Sequence, residues 1–164
     1  TWPMRVVSNT SPILNLAIVD HLDLLHEQMG EVIIPPKVVE ELRLDEALPG
    51  VAVIKRAVAD GWLQVQPITD LTLLRALSRD LDAGEAEAIA LALQIGADLL
   101  LLDERDARRV ASSLTLKVTG VIGVLLRAHH EGRISALEPI LADLEEIAGF
   151  FVGRELRRQI EGLR

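Results

Sequence analysis

Acidic and amide side chains stand directly after short apolar runs along this chain. Asn9-Thr10-Ser11 follows Arg5-Val6-Val7-Ser8, and Glu40 and Glu41 follow Val32-Ile33-Ile34 and the Pro35-Pro36 pair. Asp103, Glu104 and Asp106 follow the run from Asp98 to Leu102, while Asp82-Ala83-Gly84 opens a segment carrying Glu85 and Glu87. Gathering such groups has an electrostatic cost. Two like charges 4 Å apart repel by about 4 kcal/mol at an effective dielectric near 20. A carboxylate cluster must therefore raise a pKa, spread apart or recruit a cation. With oxygen donors only, the cation is a hard one, Mg2+ or Mn2+, with Ca2+ as a further option. A carboxylate-held metal at a phosphodiester polarises phosphoryl oxygen and acidifies bound water. The chemistry such a set would support is metal-dependent phosphodiester hydrolysis.

Composition narrows the alternatives. The chain has no Cys, which excludes a disulfide framework, thiol catalysis and thiolate zinc sites. Its four His, at 21, 26, 129 and 130, do not form an HExxH spacing. A net charge of −8 argues against a broad basic face that grips nucleic acid, but not against a nuclease that holds phosphate through bound cations. No apolar stretch approaches the roughly 20 residues of a membrane-spanning helix, and no charged segment leads into an apolar signal core. The expectation is a cytoplasmic protein without a membrane anchor. At 164 residues and 49% apolar, the chain suits one domain, expected over residues 4–164 with 1–3 as a short lead.

The elements that must position these groups are legible as an alternation. Strands are expected at Arg5–Ser8, Val32–Ile34, Trp62–Val65, Asp98–Leu102 and Leu116–Val118. The fourth is the clearest, because a continuous apolar run suits a strand buried on both faces. Ser11-Pro12 reads as a capping hydroxyl before a first-turn proline, and Pro36 opens a second helix. Asp82 with Glu85 has capping-box spacing before an apolar helix ending near Gly96. Asp103 reads as the cap of a helix through Ser112, and Thr119 as the start of one to about Glu131. Two C-terminal helices, about 135–148 and 152–162, are separated by Gly149. Strands alternating with helices imply right-handed βαβ units and a three-layer α/β/α sandwich with a parallel sheet of four to five strands. In such sheets ligands bind beyond the carboxyl ends of the strands, which is where the oxygen-bearing groups fall.

Each of these residues also has a local role open to it. Glu85 can satisfy an orphan backbone donor in the box, Asp103 and Asp106 can serve a helix start, and Glu40 and Glu41 can be a solvated face. Arg108 and Arg109 can clamp a phosphate or remain solvated. Thr119-Gly120-x-x-Gly123 offers backbone amides at a helix start, which favours an anion. Leu24, Leu25, Ile18, Leu156 and Ile160 read as core or dimer contact.

The stretches VVSNTSPILNLA at 6–17, VIIPPKVVEEL at 32–42, LDAGEAEAIALALQIGADLLLLDERDARRVA at 81–111 and VTGVIGVLLRAHHEGRI at 118–134 resemble the PIN-domain family. These are small α/β/α metal-dependent ribonucleases that include VapC-like toxins. The resemblance implies an acidic pocket at the carboxyl edge holding Mg2+ or Mn2+. Its first acid falls on Asn9, the second on Glu41, the third on Glu85 and the fourth on Asp103, with Asp106 near a further acid. Glu41, Glu85 and Asp103 are the implied catalytic set. Thr10 or Ser11 falls on a hydroxyl that meets water or phosphate, and Arg108 and Thr119 complete the expected substrate contacts. Asn9 departs from the pattern: an amide oxygen can ligate Mg2+ but brings no charge. The resemblance further implies an RNA substrate, a small antitoxin partner and a homodimer. A catalytically impaired domain that binds RNA or protein is the alternative, marked by Asn9. A receiver-type phospho-acceptor built on Asp103 ranks third, because position 119 is Thr and Lys117 falls within a strand.

Overall fold

Five short strands, β1 (Val6–Ser8), β2 (Val32–Ile34), β3 (Leu63–Val65), β4 (Leu99–Leu101) and β5 (Val118–Thr119), form one sheet in the order β3-β2-β1-β4-β5. All neighbouring pairs are parallel, with Val7 opposite both Ile33 and Leu100. The computed structural model describes residues 4–161. Residues 1–3, expected as a lead, and the last residue of the helix expected to reach 162 lie outside the described residues.

The chain supplies a reason for each strand. In β1 the adjacent Val6 and Val7 are both fully buried, and they enter different apolar clusters on opposite faces of the sheet. In β4 the same holds for Leu101 against Leu100, and Leu102 just beyond the strand joins Leu100. A central parallel strand covered on both sides has no polar face to show, hence the unbroken apolar run. The larger cluster packs residues of α1 (Thr10–Ile18), α2 (Asp23–Met29), α3 (Pro36–Leu42), α4 (Val51–Ala59), α8 (Val121–His130), α9 (Glu138–Glu146) and α10 (Arg154–Glu161). The smaller cluster packs α6 (Ala83–Ile95) and α7 (Arg105–Ser113), with Leu77 of α5 (Leu71–Leu77) joining it. Two helical layers thus enclose the sheet, as the sequence implies. Leu24, Leu25 and Ile160 are core residues. Among the described residues no helix is long and apolar enough to cross a membrane.

Local signals hold best where they act locally. Pro36 is at the first position of α3, and α6 carries a complete capping box and ends at Gly96 in the left-handed region. Helix starts near the expected site fall differently. The first helix begins at Thr10 with Asn9 as its cap, not at Ser11. Glu104, not Asp103, precedes α7, and Thr119 belongs to β5, with Gly120 before α8.

Candidate active site

The strand order reverses between β1 and β4: β1 leads outward to β2 and β3, and the chain then returns to β4 and β5. A crevice opens beyond the carboxyl ends of strands at such a switch point. Asn9, directly after β1, and Asp103, two residues beyond β4, both line it. The backbone N–H of Asn9 extends the pairing by donating to Leu101 O at 2.9 Å. Here a cleft of about 610 Å³ is lined by Asn9, Thr10, Ser11, Glu41, Glu85 and Asp103, together with Asp82, Glu104 and Arg105.

Four of its five carboxylates, those of Glu41, Asp82, Glu85 and Asp103, are bonded to named partners. Thr10 Oγ1 donates to Glu41 Oε1 at 2.6 Å, tying the last turn of α3 to the first turn of α1. Ser11 Oγ donates to Asp103 Oδ2 at 2.9 Å and accepts from Asn15 Nδ2 at 2.9 Å. The other oxygen, Asp103 Oδ1, accepts from the Val121 N–H at 2.8 Å. The anion at this helix start is thus the protein's own carboxylate. Glu85 Oε1 accepts from the Asp82 N–H at 3.2 Å, and Asp82 Oδ1 from the Glu85 N–H at 2.8 Å. Capping and cleft lining are therefore the same feature in Glu85. Replacing Asp82 by Ala removes that cap, which is expected to cost about 1 kcal/mol. In a chain of this length the unfolding midpoint should fall by about 2–4 °C, readable by thermal denaturation.

Two glycines make room for these groups. A Cβ on Gly84 would lie 2.2 Å from Glu41 Oε1, and one on Gly120 would lie 2.3 Å from Asp103 Oδ1. The carboxylates rest directly on backbone at both places.

The electrostatics follow from burial. Glu85 is 7% exposed, and desolvation pushes its carboxyl above the usual range, only partly countered by the Asp82 N–H. Desolvation also raises Asp103, against the lowering effect of its bonds from Val121 and Ser11 and of the nearby Arg108 charge. Asn9 is 7% exposed, and its Oδ1 is buried with no hydrogen-bond partner. A buried amide oxygen left unpaired costs free energy unless something binds it. That orphan and the carboxylate oxygens of the lining fit a hard cation. The acids nevertheless stay apart: among the described residues, no three His, Asp or Glu are grouped to hold a metal ion. Glu41, Asp103 and Glu85 are bonded instead to Thr10, to Ser11 and Val121, and to Asp82.

Other expected residues lie elsewhere. Asp106 is exposed and faces Arg109 at 4.0 Å, outside the cleft lining. Arg108 does not line the cleft, although its guanidinium lies near Gly120 and Asp103. Thr119 is also outside the lining, with its Oγ1 over Gly123. Glu40 pairs with Lys37 at 3.1 Å on the surface, which leaves Glu41 as the cleft residue. Glu87 accepts from the Lys37 N–H at 3.0 Å and so anchors the start of α3 to α6. Sequence reasoning passed over Asn15 and the wall formed by Ala148, Gly149, Phe150 and Phe151. The four-residue spacing of Ser11 and Asn15 places both on one helix face and was the available signal. The adjacent pair Phe150-Phe151, the two Phe of a chain with 2% aromatic residues, was the other.

A doubly wound parallel sheet with an acidic cleft at its switch point is the class of architecture that fold and site define together. The family model described as PIN domain matches residues 5–163, and the chain belongs to that family. Among solved structures, a PilT N-terminus domain protein from the hyperthermophilic archaeon Sulfolobus solfataricus is similar in fold, with a TM-score of 0.51 and 17% identity over 76% of this chain and 93% of that one. No curated protein matches. The fold is of nuclease type, and PIN domains generally are nucleases that use divalent metal ions.

Proposed function

We propose that this protein is a metal-dependent endoribonuclease and the toxin of a toxin–antitoxin pair, cytoplasmic and homodimeric, restrained by a small antitoxin protein. One observation carries the catalytic part. The orphaned Asn9 Oδ1 is buried in a cleft also lined by Glu41, Glu85 and Asp103, at the switch point of the sheet. Mg2+ or Mn2+ would be held by Asn9, Glu41, Glu85 and Asp103, and when bound supplies Lewis acidity toward phosphoryl oxygen and a more acidic water.

The chain's own groups have distinct work in this reading. Thr10 and Ser11 orient Glu41 and Asp103 through their hydroxyl protons. Val121 holds the second Asp103 oxygen in place. Arg105, the cation in the cleft lining, would be the one group there to meet an RNA phosphate.

Labelled single-stranded and structured RNA, incubated with Mn2+ or with EDTA, tests the proposal. Cleavage in Mn2+ and none in EDTA is the expected result. RNA binding without cleavage under either condition would replace it with the second reading, an impaired RNA- or protein-binding domain. That reading is favoured by the uncharged Asn9 and by the engagement of Glu41, Glu85 and Asp103 with partners of their own. Asn9→Asp adds a charged ligand and should tighten Mn2+ about tenfold in titration calorimetry, or roughly 1.4 kcal/mol. An unchanged affinity would remove Asn9 from the ligand set.

A further inference from the structure

We propose that Phe151 is a stacking platform for a nucleobase at the lip of the acidic cleft, positioning RNA over the carboxylates. The inference rests on the nuclease reading above and names a residue that reading does not use.

Phe151 is 85% exposed yet lines the cleft. The other described Phe and Trp side chains are both half-buried. Phe150 packs against the larger core cluster, and Trp62 stacks on His26 with ring centroids 5.0 Å apart. The backbone that carries the exposed ring is set by a turn. After α9 the chain turns at Gly149, which adopts the left-handed region at φ +69°. The Phe150 N–H then donates to Leu144 O at 2.8 Å. That turn directs Phe150 inward and leaves Phe151 at the cleft. Gly153 lies beneath the ring, where an added Cβ would sit 3.6 Å from Cε1.

Charge indicates which part of RNA meets this ring. The chain carries −8, and the cleft lining holds Glu41, Asp82, Glu85, Asp103 and Glu104 against Arg105. Phosphate contacts supply most of the affinity of a basic nucleic-acid-binding face, and this cleft has little to offer a phosphate on its own. A nucleobase is neutral and presents a flat face to an aromatic ring, a contact indifferent to the surrounding negative potential. A base on Phe151 would hold the adjoining backbone beside the carboxylates.

The test uses the full chain with Phe151→Leu, which keeps an apolar side chain but loses the ring, and Phe151→Trp, which keeps a ring. The probe is a single-stranded RNA oligonucleotide carrying 2-aminopurine, whose fluorescence is quenched on stacking. Phe151→Leu should lose the quench and bind about tenfold more weakly. Phe151→Trp should retain both, and the salt dependence of binding should have the same slope in all three proteins, because no phosphate contact changes. In cleavage assays the loss should fall on KM. An exposed ring adds little to the fold, so the thermal midpoint of Phe151→Leu should match that of the parent. Equal binding by the parent and Phe151→Leu, or equal losses in Leu and Trp variants, would overturn the proposal. So would intact RNA binding accompanied by loss of self-association in sedimentation, which would make the ring a protein contact alongside the exposed Ile147. A Phe151-dependent quench with no cleavage would sink the nuclease reading and leave the platform standing. Cleavage indifferent to position 151 would do the reverse, and no RNA binding by the parent would overturn both.

Discussion

Gly84→Ala is expected to reduce RNA cleavage by about a hundredfold while leaving the fold intact. Gly84 is buried in the first turn of α6, where Ala is ordinarily the better helix former by about 1 kcal/mol. The added methyl, however, would stand 2.2 Å from Glu41 Oε1 and 2.9 Å from its carboxyl carbon. Neither distance is tolerable, and the atom in the way is the end of a flexible side chain. The cheapest response is rotation of Glu41, which breaks its bond from Thr10 and withdraws a carboxylate from the cleft. Misplacing a site group by about 1 Å can cost roughly a hundredfold in rate. Cleavage kinetics and Mn2+ titration should both register the loss, with a thermal midpoint within a few degrees of the parent. Full activity in Gly84→Ala would show that Glu41 is not part of the site. Gly120→Ala should be less forgiving. There the displaced oxygen belongs to the shorter Asp103 side chain and already accepts from Val121.

The sequence displayed the sheet better than the helices that flank the cleft. Branched apolar runs bounded by polar residues mark β1, β2 and β4, because strands buried on both faces leave no room for polar side chains. The helices α2, α4 and α5 had no comparable mark. In α5 none of the seven residues from Leu71 to Leu77 is fully buried, so its stability depends on neighbours such as α6 that a linear reading does not supply. The misplaced helix starts share one cause. Ser11, Asp103 and Thr119 are residue types that cap helices, and capping is a hydrogen bond between a side chain and a nearby backbone group. In the fold, Ser11 spends its proton on Asp103, 92 positions away, and Asp103 reaches Val121, 18 positions on. The chemistry that makes a residue a good cap also makes it a good cleft residue, and spacing alone cannot separate the two partners. Glu85 escapes the ambiguity by filling both roles at once. The wall at 148–151 carried a compositional mark, the paired Phe, but nothing that placed it. It reaches the cleft through the path of α9 across the larger core cluster, which no local pattern encodes.

Charge removal at the cleft should separate activity from stability. In the metal-free protein, desolvation raises the Glu85 and Asp103 carboxyls above the values near 4 that they have when unfolded. The folded state therefore holds these protons more tightly than the unfolded chain does. Their stabilising contribution is complete below about pH 4 and is lost as pH rises through the folded-state values, because the unfolded chain then releases protons more readily. Once ionised, both groups are charges held partly out of water, Glu85 buried and Asp103 half-buried, and they weaken the fold. Glu85→Gln removes one such charge and keeps the capping box, which accepts Gln as well as Glu. Asp103→Asn keeps an oxygen for the Val121 N–H. In EDTA at pH 7 each variant should melt roughly 2–4 °C above the parent, the shift that about 1 kcal/mol produces at this length, and the decline in stability as pH rises above about 4 should flatten. Added Mn2+ should raise the parent's midpoint by mass action and leave the variants nearly unmoved. Cleavage should fall about a thousandfold in either variant, since the charge that weakens the empty cleft is the charge a cation requires. Variants that melt below the parent in EDTA would show that these carboxylates stabilise the fold when ionised, and cleavage at the parental rate would place the chemistry elsewhere.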